Sequence, residues 1–125
     1  ARRRIANLVE KLLRERVQSV RLVTGPGESS HWFTFFHLAL DRLRVDKTQF
    51  VNALNAEGLA IGASYAHIAQ QHEWYQKAGY QQWSLPNIMA TDATHFRSFI
   101  TERWTDRDAE DFVEAIRKVE SAYLK

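Results

Sequence analysis

Eleven consecutive residues, Tyr65-Ala66-His67-Ile68-Ala69-Gln70-Gln71-His72-Glu73-Trp74-Tyr75, gather imidazoles, carboxamides and flat rings in one stretch. Such groups bind by hydrogen bonding and stacking, and they follow directly on a segment that reads as a strand, where ligand-facing residues commonly sit. A surface helix with half-buried aromatics accounts for the same residues equally well. The stretch opens a polar, aromatic loop of about twenty residues, long for a small domain, and long loops tend to carry function.

Other chemistries find less support. The chain has five histidines, but His67 and His72 are five apart, which is not the i, i+4 spacing that aims two imidazoles at one metal ion from a helix. Glu73 is adjacent to His72 and points elsewhere on a helix. His31 and His37 read as ordinary residues of one strand. No serine sits in a nucleophile-elbow pattern, since Ser29-Ser30 precede a strand instead of following one. Asp106, Asp108 and Glu110 are better explained as the acidic first turn of a helix than as a catalytic carboxylate pair. Gly25 and Gly27 lack both the P-loop Lys-Ser/Thr ending and the dinucleotide G-x-G-x-x-G spacing, so 24–30 reads as a loop. The run Trp32-Phe33-Thr34-Phe35-Phe36 lacks the interleaved Gly and basic residues of an RNA-stacking strand and reads as core packing.

The elements around the loop follow from periodicity. Ile5, Leu8, Val9, Leu12, Leu13 and Val17 form one helical stripe, which begins at Ala1 without a capping residue, as if the helix continued upstream in a longer protein. Val20 to Val23 reads as a short strand. Trp32 to Leu40 alternates two faces, both largely apolar, as expected of a central strand covered on both sides or half-covered by a missing partner. Asp46 with Gln49 predicts a capping box, Phe50, Val51 and Leu54 the buried stripe behind it, and Gly58 the helix end. Leu59 to Tyr65 alternates as a further strand, Gln70 to Lys77 reads as a short helix, and Phe96 to Ile100 as another strand. Thr105 with Asp108 caps the last helix, whose core stripe is Phe112, Val113, Ile116, Val119 and Tyr123. The resulting fold class is α+β: a small, mainly antiparallel sheet with helices packed on one face.

At 125 residues with 45% hydrophobic content, residues 1–125 form a single domain with a real core. The chain contains no cysteine, which removes disulfides, thiolate zinc sites and a cysteine nucleophile, and fits a reducing cytoplasm. No apolar run approaches the roughly 18 residues of a membrane span. The net charge is only +2, although Arg2, Arg3, Arg4, Lys11, Arg14, Arg16 and Arg21 crowd the first segment. A solvated helix face explains them without nucleic acid or a membrane as partner.

Several motifs recur in a set order. Ser29 or Ser30 precedes Trp32 to Leu40; Phe50-Val51-Asn52-Ala53-Leu54-Asn55-Ala56-Glu57-Gly58-Leu59 follows; then come Tyr65, Ile68, Gln71 and Trp74, then Pro86, then Trp104-Thr105-Asp106-Arg107-Asp108. In that order they resemble the C-terminal small domain of the DegT/DnrJ/StrS family of pyridoxal-phosphate sugar aminotransferases, with the small-domain fold of fold-type I enzymes. The family's frame Y-P-x-L-H-x-Q-P-x-Y is matched at four positions. Ala66 stands in place of its Pro and Ala69 in place of its His, with His67 two residues away.

The resemblance implies a domain that shapes one side of a substrate cleft, with Tyr65, His67 and Gln71 lining the pocket and hydrogen-bonding the substrate. It implies a parent enzyme, a homodimer, in which pyridoxal phosphate sits on a lysine of a large domain and an amino group passes from a donor to a keto sugar carried on a nucleotide. Lys11, Lys47, Lys77, Lys118 and Lys125 occupy helix-face or terminal positions, so no catalytic, cofactor-binding or metal residue is expected in this chain, nor cofactor on it alone. A stand-alone α+β interaction module that binds a protein through its aromatic strand face is the alternative.

Overall fold

A computed structural model describes residues 1–64 and 68–125. Three strands, β1 (Val20–Leu22), β2 (Thr34–Leu38) and β3 (His95–Ser98), form an antiparallel sheet in the order β1-β2-β3. Register is set by Leu22↔Phe36 on one side of β2 and Phe36↔Phe96 on the other. Phe36 is therefore the centre of the sheet, fully buried, with its ring stacked on Phe96 at 5.3 Å and tilted against Phe112 at 5.6 Å.

Three helices roof that face. The first, α1 (Arg2–Arg16), buries Ile5, Ala6, Val9, Leu12 and Leu13. A second, α2 (Lys47–Ala56), buries Phe50, Val51 and Leu54, and the last, α5 (Asp106–Tyr123), buries Ala109, Phe112, Val113, Ile116 and Val119. The architecture is the expected α+β one, with helices on one face of an antiparallel sheet. Both predicted capping boxes form. Asp46 accepts from the Gln49 amide at 2.8 Å, and Gln49 accepts from the Asp46 amide at 3.3 Å. Asp108 accepts from the Thr105 amide at 2.6 Å while Thr105 Oγ1 accepts from Asp108. Gly58, with φ of 92°, closes α2 in a Schellman turn: its amide reaches Asn55 O and the Leu59 amide reaches Leu54 O. Three of the arginines crowded into α1 pair with acids from elsewhere, Arg2 with Glu102, Arg3 with Glu28 and Arg4 with Asp106, whereas Arg14 pairs with Glu10 of α1 itself.

The structure departs from the sequence expectations in four places. β2 is shorter than Trp32 to Leu40: residues 32 and 33 form a bend just after His31, whose φ is 50°, and at the other end the chain leaves the sheet through a 3₁₀ turn, Leu40–Arg42. His31 and His37 therefore do not share one regular strand. The segment expected as a strand over Leu59 to Tyr65 makes, over its described residues, a single bridge, Gly62 with Arg97. Beyond that bridge, side chains take up its backbone groups at Ala60 and Ile61. Asn55 accepts from the Ile61 amide and donates to the Ile61 carbonyl, and Ser98 Oγ donates to Ala60 O. The helix expected over Gln70 to Lys77 divides at His72 into a 3₁₀ turn, Ala69–Gln71, and a short α3 (Glu73–Lys77). A helix that the periodicity did not reveal, α4 (Pro86–Thr94), leads straight into β3, which begins at His95 and not at Phe96.

The second face of the sheet is only half covered. Phe33, Phe35 and His37 from β2 and its approach, with Arg97 and Phe99 from β3 and beyond, form it; Phe99 is 47% exposed. Phe33 packs edge-on against both Phe35 and Phe99, and Arg97 lies over the Phe99 ring. His37 and His95 pair across the strands with ring centroids 5.1 Å apart. Partial burial, and next the neighbouring His95, hold His37 below its ordinary value of 6.5.

Two predictions follow from these contacts. The buried carboxylate of Glu120 accepts from the amides of Gln18, at 2.8 Å, and Ser19, which fixes the turn between α1 and β1. Glu120→Ala strands both amides and is expected to lower unfolding free energy by about 2 kcal/mol in urea titration; an unchanged midpoint would refute the role. Because folding disfavours protonated His37, its stabilising contribution is complete above the unfolded value and is lost as pH falls through and below it. The urea midpoint should drop less between about pH 7.5 and about pH 5.5 in His37→Gln than in the unsubstituted protein. Equal drops in the two proteins would rule this out.

Candidate functional site

The loop that looks most chemical in sequence is displayed by a long excursion between Gly62 and β3. Of the predicted pocket residues, Tyr65 and His67 lie outside the described residues. Gln71 is exposed at the end of the 3₁₀ turn, where its amide donates to Ile68 O at 2.9 Å. Its side-chain Nε2 reaches Met89 Sδ of α4 at 3.3 Å, so Gln71 joins the turn to that helix. Around it the excursion is braced by polar clamps. Gln70 accepts from the Trp83 amide at 3.0 Å and donates to the Trp83 carbonyl at 2.8 Å, as one strand residue would to another. Tyr75 Oη donates to Gln81 O at 2.8 Å. The rings of His72, Trp74, Tyr75 and Tyr80 form a train of stacked and edge contacts, with Trp74 59% and Tyr80 57% exposed.

Beneath this excursion lies a cavity of about 410 Å³. Its walls are apolar: Phe35 from the half-covered sheet face, Phe96 from β3, Ile68 from the loop and Ile88 from α4. Polar groups enter from one side, with Asn87, Thr91 and Asp92 from α4 and His95 at the start of β3. Positions 87, 88, 91 and 92 share a helical face, which explains why one short helix supplies half the lining. An apolar hollow of this size with a few convergent polar groups is the ordinary form of a small-molecule site. The His95 ring is oriented by two partners, since Nδ1 lies 2.9 Å from Thr91 O and 3.0 Å from Thr94 Oγ1. A carbonyl only accepts, so the neutral ring carries its proton on Nδ1 and leaves Nε2 as an acceptor.

The α4 contribution was not legible as a helical stripe, because Pro-Asn-Ile-Met-Ala-Thr-Asp-Ala-Thr mixes polar and β-branched residues and buries none of them. Pro86 at the first helical turn was the available signal.

The lysines are all occupied. Lys11 pairs with Glu15, Lys77 with Glu73 and Lys118 with Glu57, while Lys125 Nζ donates to Asp41 O. Lys47 is buried at the start of α2, where Nζ donates to the carbonyls of Ala63, Asp92 and His95. Burial draws Lys47 below the ordinary lysine value, and Asp92 partly opposes that shift. None of the five lines the cavity beneath the loop, so the residues there do not fit a Schiff-base site for pyridoxal phosphate. Among the described residues, no group of three or more His, Asp or Glu is placed to hold a metal ion.

A comparison with curated protein sequences finds no match. Among solved structures, the chain is similar to a "putative sugar aminotransferase" of Streptococcus pneumoniae in its PMP form, with a TM-score of 0.78 and 12% identity. The match covers 97% of this chain and 30% of that one, so the chain spans under a third of the neighbour's length. At that identity the likeness is one of fold. Residues 1–117 match the DegT/DnrJ/EryC1/StrS aminotransferase family. The sequence order of motifs, the one-sided α+β sheet and this match together establish that the chain belongs to the DegT/DnrJ/EryC1/StrS aminotransferase family.

Proposed function

We propose that this chain is the C-terminal small domain of a pyridoxal-phosphate-dependent aminotransferase acting on a nucleotide-linked keto sugar, where it shapes one side of the substrate cleft and is not catalytic alone. The observation that carries this reading is the family match over residues 1–117 in a chain whose five lysines are all engaged elsewhere. On this reading the cofactor is held by a large domain of a longer, cytoplasmic enzyme, itself a homodimer, and an amino donor such as glutamate supplies the nitrogen. Tyr65, His67 and Gln71 line the cleft and bind hydroxyl groups of the sugar. Gln71 is not among the cavity's lining residues, and it supports this reading only by joining the loop to α4, the helix that supplies Asn87, Ile88, Thr91 and Asp92 to the cavity. The half-covered sheet face, with Phe33, Phe35 and Phe99, packs against the large domain.

A stand-alone interaction module remains the second reading, and the same aromatic face favours it. The two diverge at the coding sequence: an upstream segment carrying a cofactor lysine supports the enzyme, and translation starting near Ala1 removes it.

For the pocket assignment, His67→Ala in the full-length enzyme should lower kcat/KM for the keto sugar about five- to tenfold, the worth of one hydrogen bond. A value equal to that of the unsubstituted enzyme sinks the assignment of His67.

A further inference from the structure

Lys47 stands where helix electrostatics disfavour it. It occupies the first position of α2, at the positive end of that helix's dipole, where the N-cap carboxylate of Asp46 is committed to the Gln49 amide and the first turn itself contains no acidic residue. Its aliphatic stem is buried and its ammonium is carried away from α2 toward three carbonyls on other segments. Those are Ala63 at 2.6 Å, His95 at 3.2 Å, and Asp92. An ammonium has three N–H donors and no acceptor, so three carbonyls satisfy it completely; a neutral amine would leave one of them unmet. The Asp92 carboxylate lies 3.8 Å away and supplies a nearby counter-charge.

Each of the three segments bears on the site. Asp92 and His95 line the cavity, and their carbonyls lie at the C-terminal end of α4, where a cation complements the helix dipole. Ala63 comes two residues before Tyr65, at the exit from the Gly62–Arg97 bridge. Meanwhile α4 buries no residue of its own, so hydrophobic packing alone does not account for its position. We propose that Lys47 is a positioning residue: its ammonium ties the C-terminal end of α4 and the run into Tyr65 to the N-terminus of α2, and so holds the cavity wall in place. Lys47 touches no substrate in this scheme. It acts through Asp92, His95 and Ala63.

The proposal concerns the structure of the cavity wall and rests on the aminotransferase reading only for its kinetic consequence. The test compares Lys47→Met and Lys47→Arg with the unsubstituted full-length protein by amide hydrogen exchange. Lys47→Met should accelerate exchange in α4 and at the Gly62 and Arg97 amides about tenfold or more, leaving α1 and α5 unchanged. Lys47→Arg, which keeps a cation with N–H donors, should restore most of that protection. Unchanged exchange in α4, or acceleration spread evenly over α1 and α5, overturns the proposal. If Lys47→Met does not fold, the same criteria apply to Lys47→Gln, which keeps two N–H donors, and failure of both to fold overturns it as well. In an active enzyme the Met variant should raise KM for the keto sugar several-fold with little change in kcat. Local loss of protection in a protein that shows no aminotransferase activity would sink the functional reading and leave the latch standing. Normal protection sinks the latch whatever the activity.

Discussion

The Phe36 ring, stacked on Phe96 and met from above by Phe112, is the contact from which the other elements take their places. It joins the middle strand to the last strand and to the last helix, residues separated by 60 and 76 positions in the chain. Strands of three, five and four residues offer one buried layer of limited area. Three helices suffice to cover it, and each is brought to it at a defined point. The Asp46 and Thr105 caps start α2 and α5 where their apolar stripes meet the sheet, and Glu120 fixes the turn by which α1 hands the chain to β1. With that layer complete, the opposite face keeps Phe33, Phe35, His37 and Arg97 only partly covered, and the cavity forms at its margin.

Much of the scaffold was legible in sequence because the signals were local and redundant. The stripes of α1 and α5 agree with their periodicity, and both capping boxes combine a side chain with a partner three residues on. The failures share a cause. Between Leu59 and Ser64 the alternation of apolar residues resembles a strand, but the backbone is met by side chains of Asn55, Lys47 and Ser98, which lie 6, 16 and 38 residues away from the groups they bond. Lys47 itself reads as an ordinary surface lysine at a helix start, and only tertiary structure shows its ammonium enclosed by carbonyls. At the candidate site, the aromatic and polar composition of the loop was visible, whereas the wall facing it was not. That wall comes from α4, whose residues bury nothing and so leave no periodic trace.

The division of labour in the proposed enzyme follows from the same arrangement. A domain whose lysines are bound to carboxylates or carbonyls contributes shape and hydrogen bonds, not a nucleophilic amine. Its half-covered aromatic face adjoins its cavity through Phe35 and His95, so contact with a second domain and contact with a ligand fall close together. Closure onto a partner surface would enclose both in a drier environment, in which polar groups such as His95 and Asp92 act more strongly on whatever they contact.

Glu120 has a consequence for how the chain becomes native. The carboxylate that organises the α1–β1 turn lies 101 and 102 residues downstream of the amides it accepts from, and the helix bearing it also supplies the surface on which α1 packs. At a ribosomal rate of about 5–20 residues per second, α1, which also packs on β1, therefore waits several seconds for the α5 surface that completes the burial of its stripe. Native structure in this domain is thus completed from its far end.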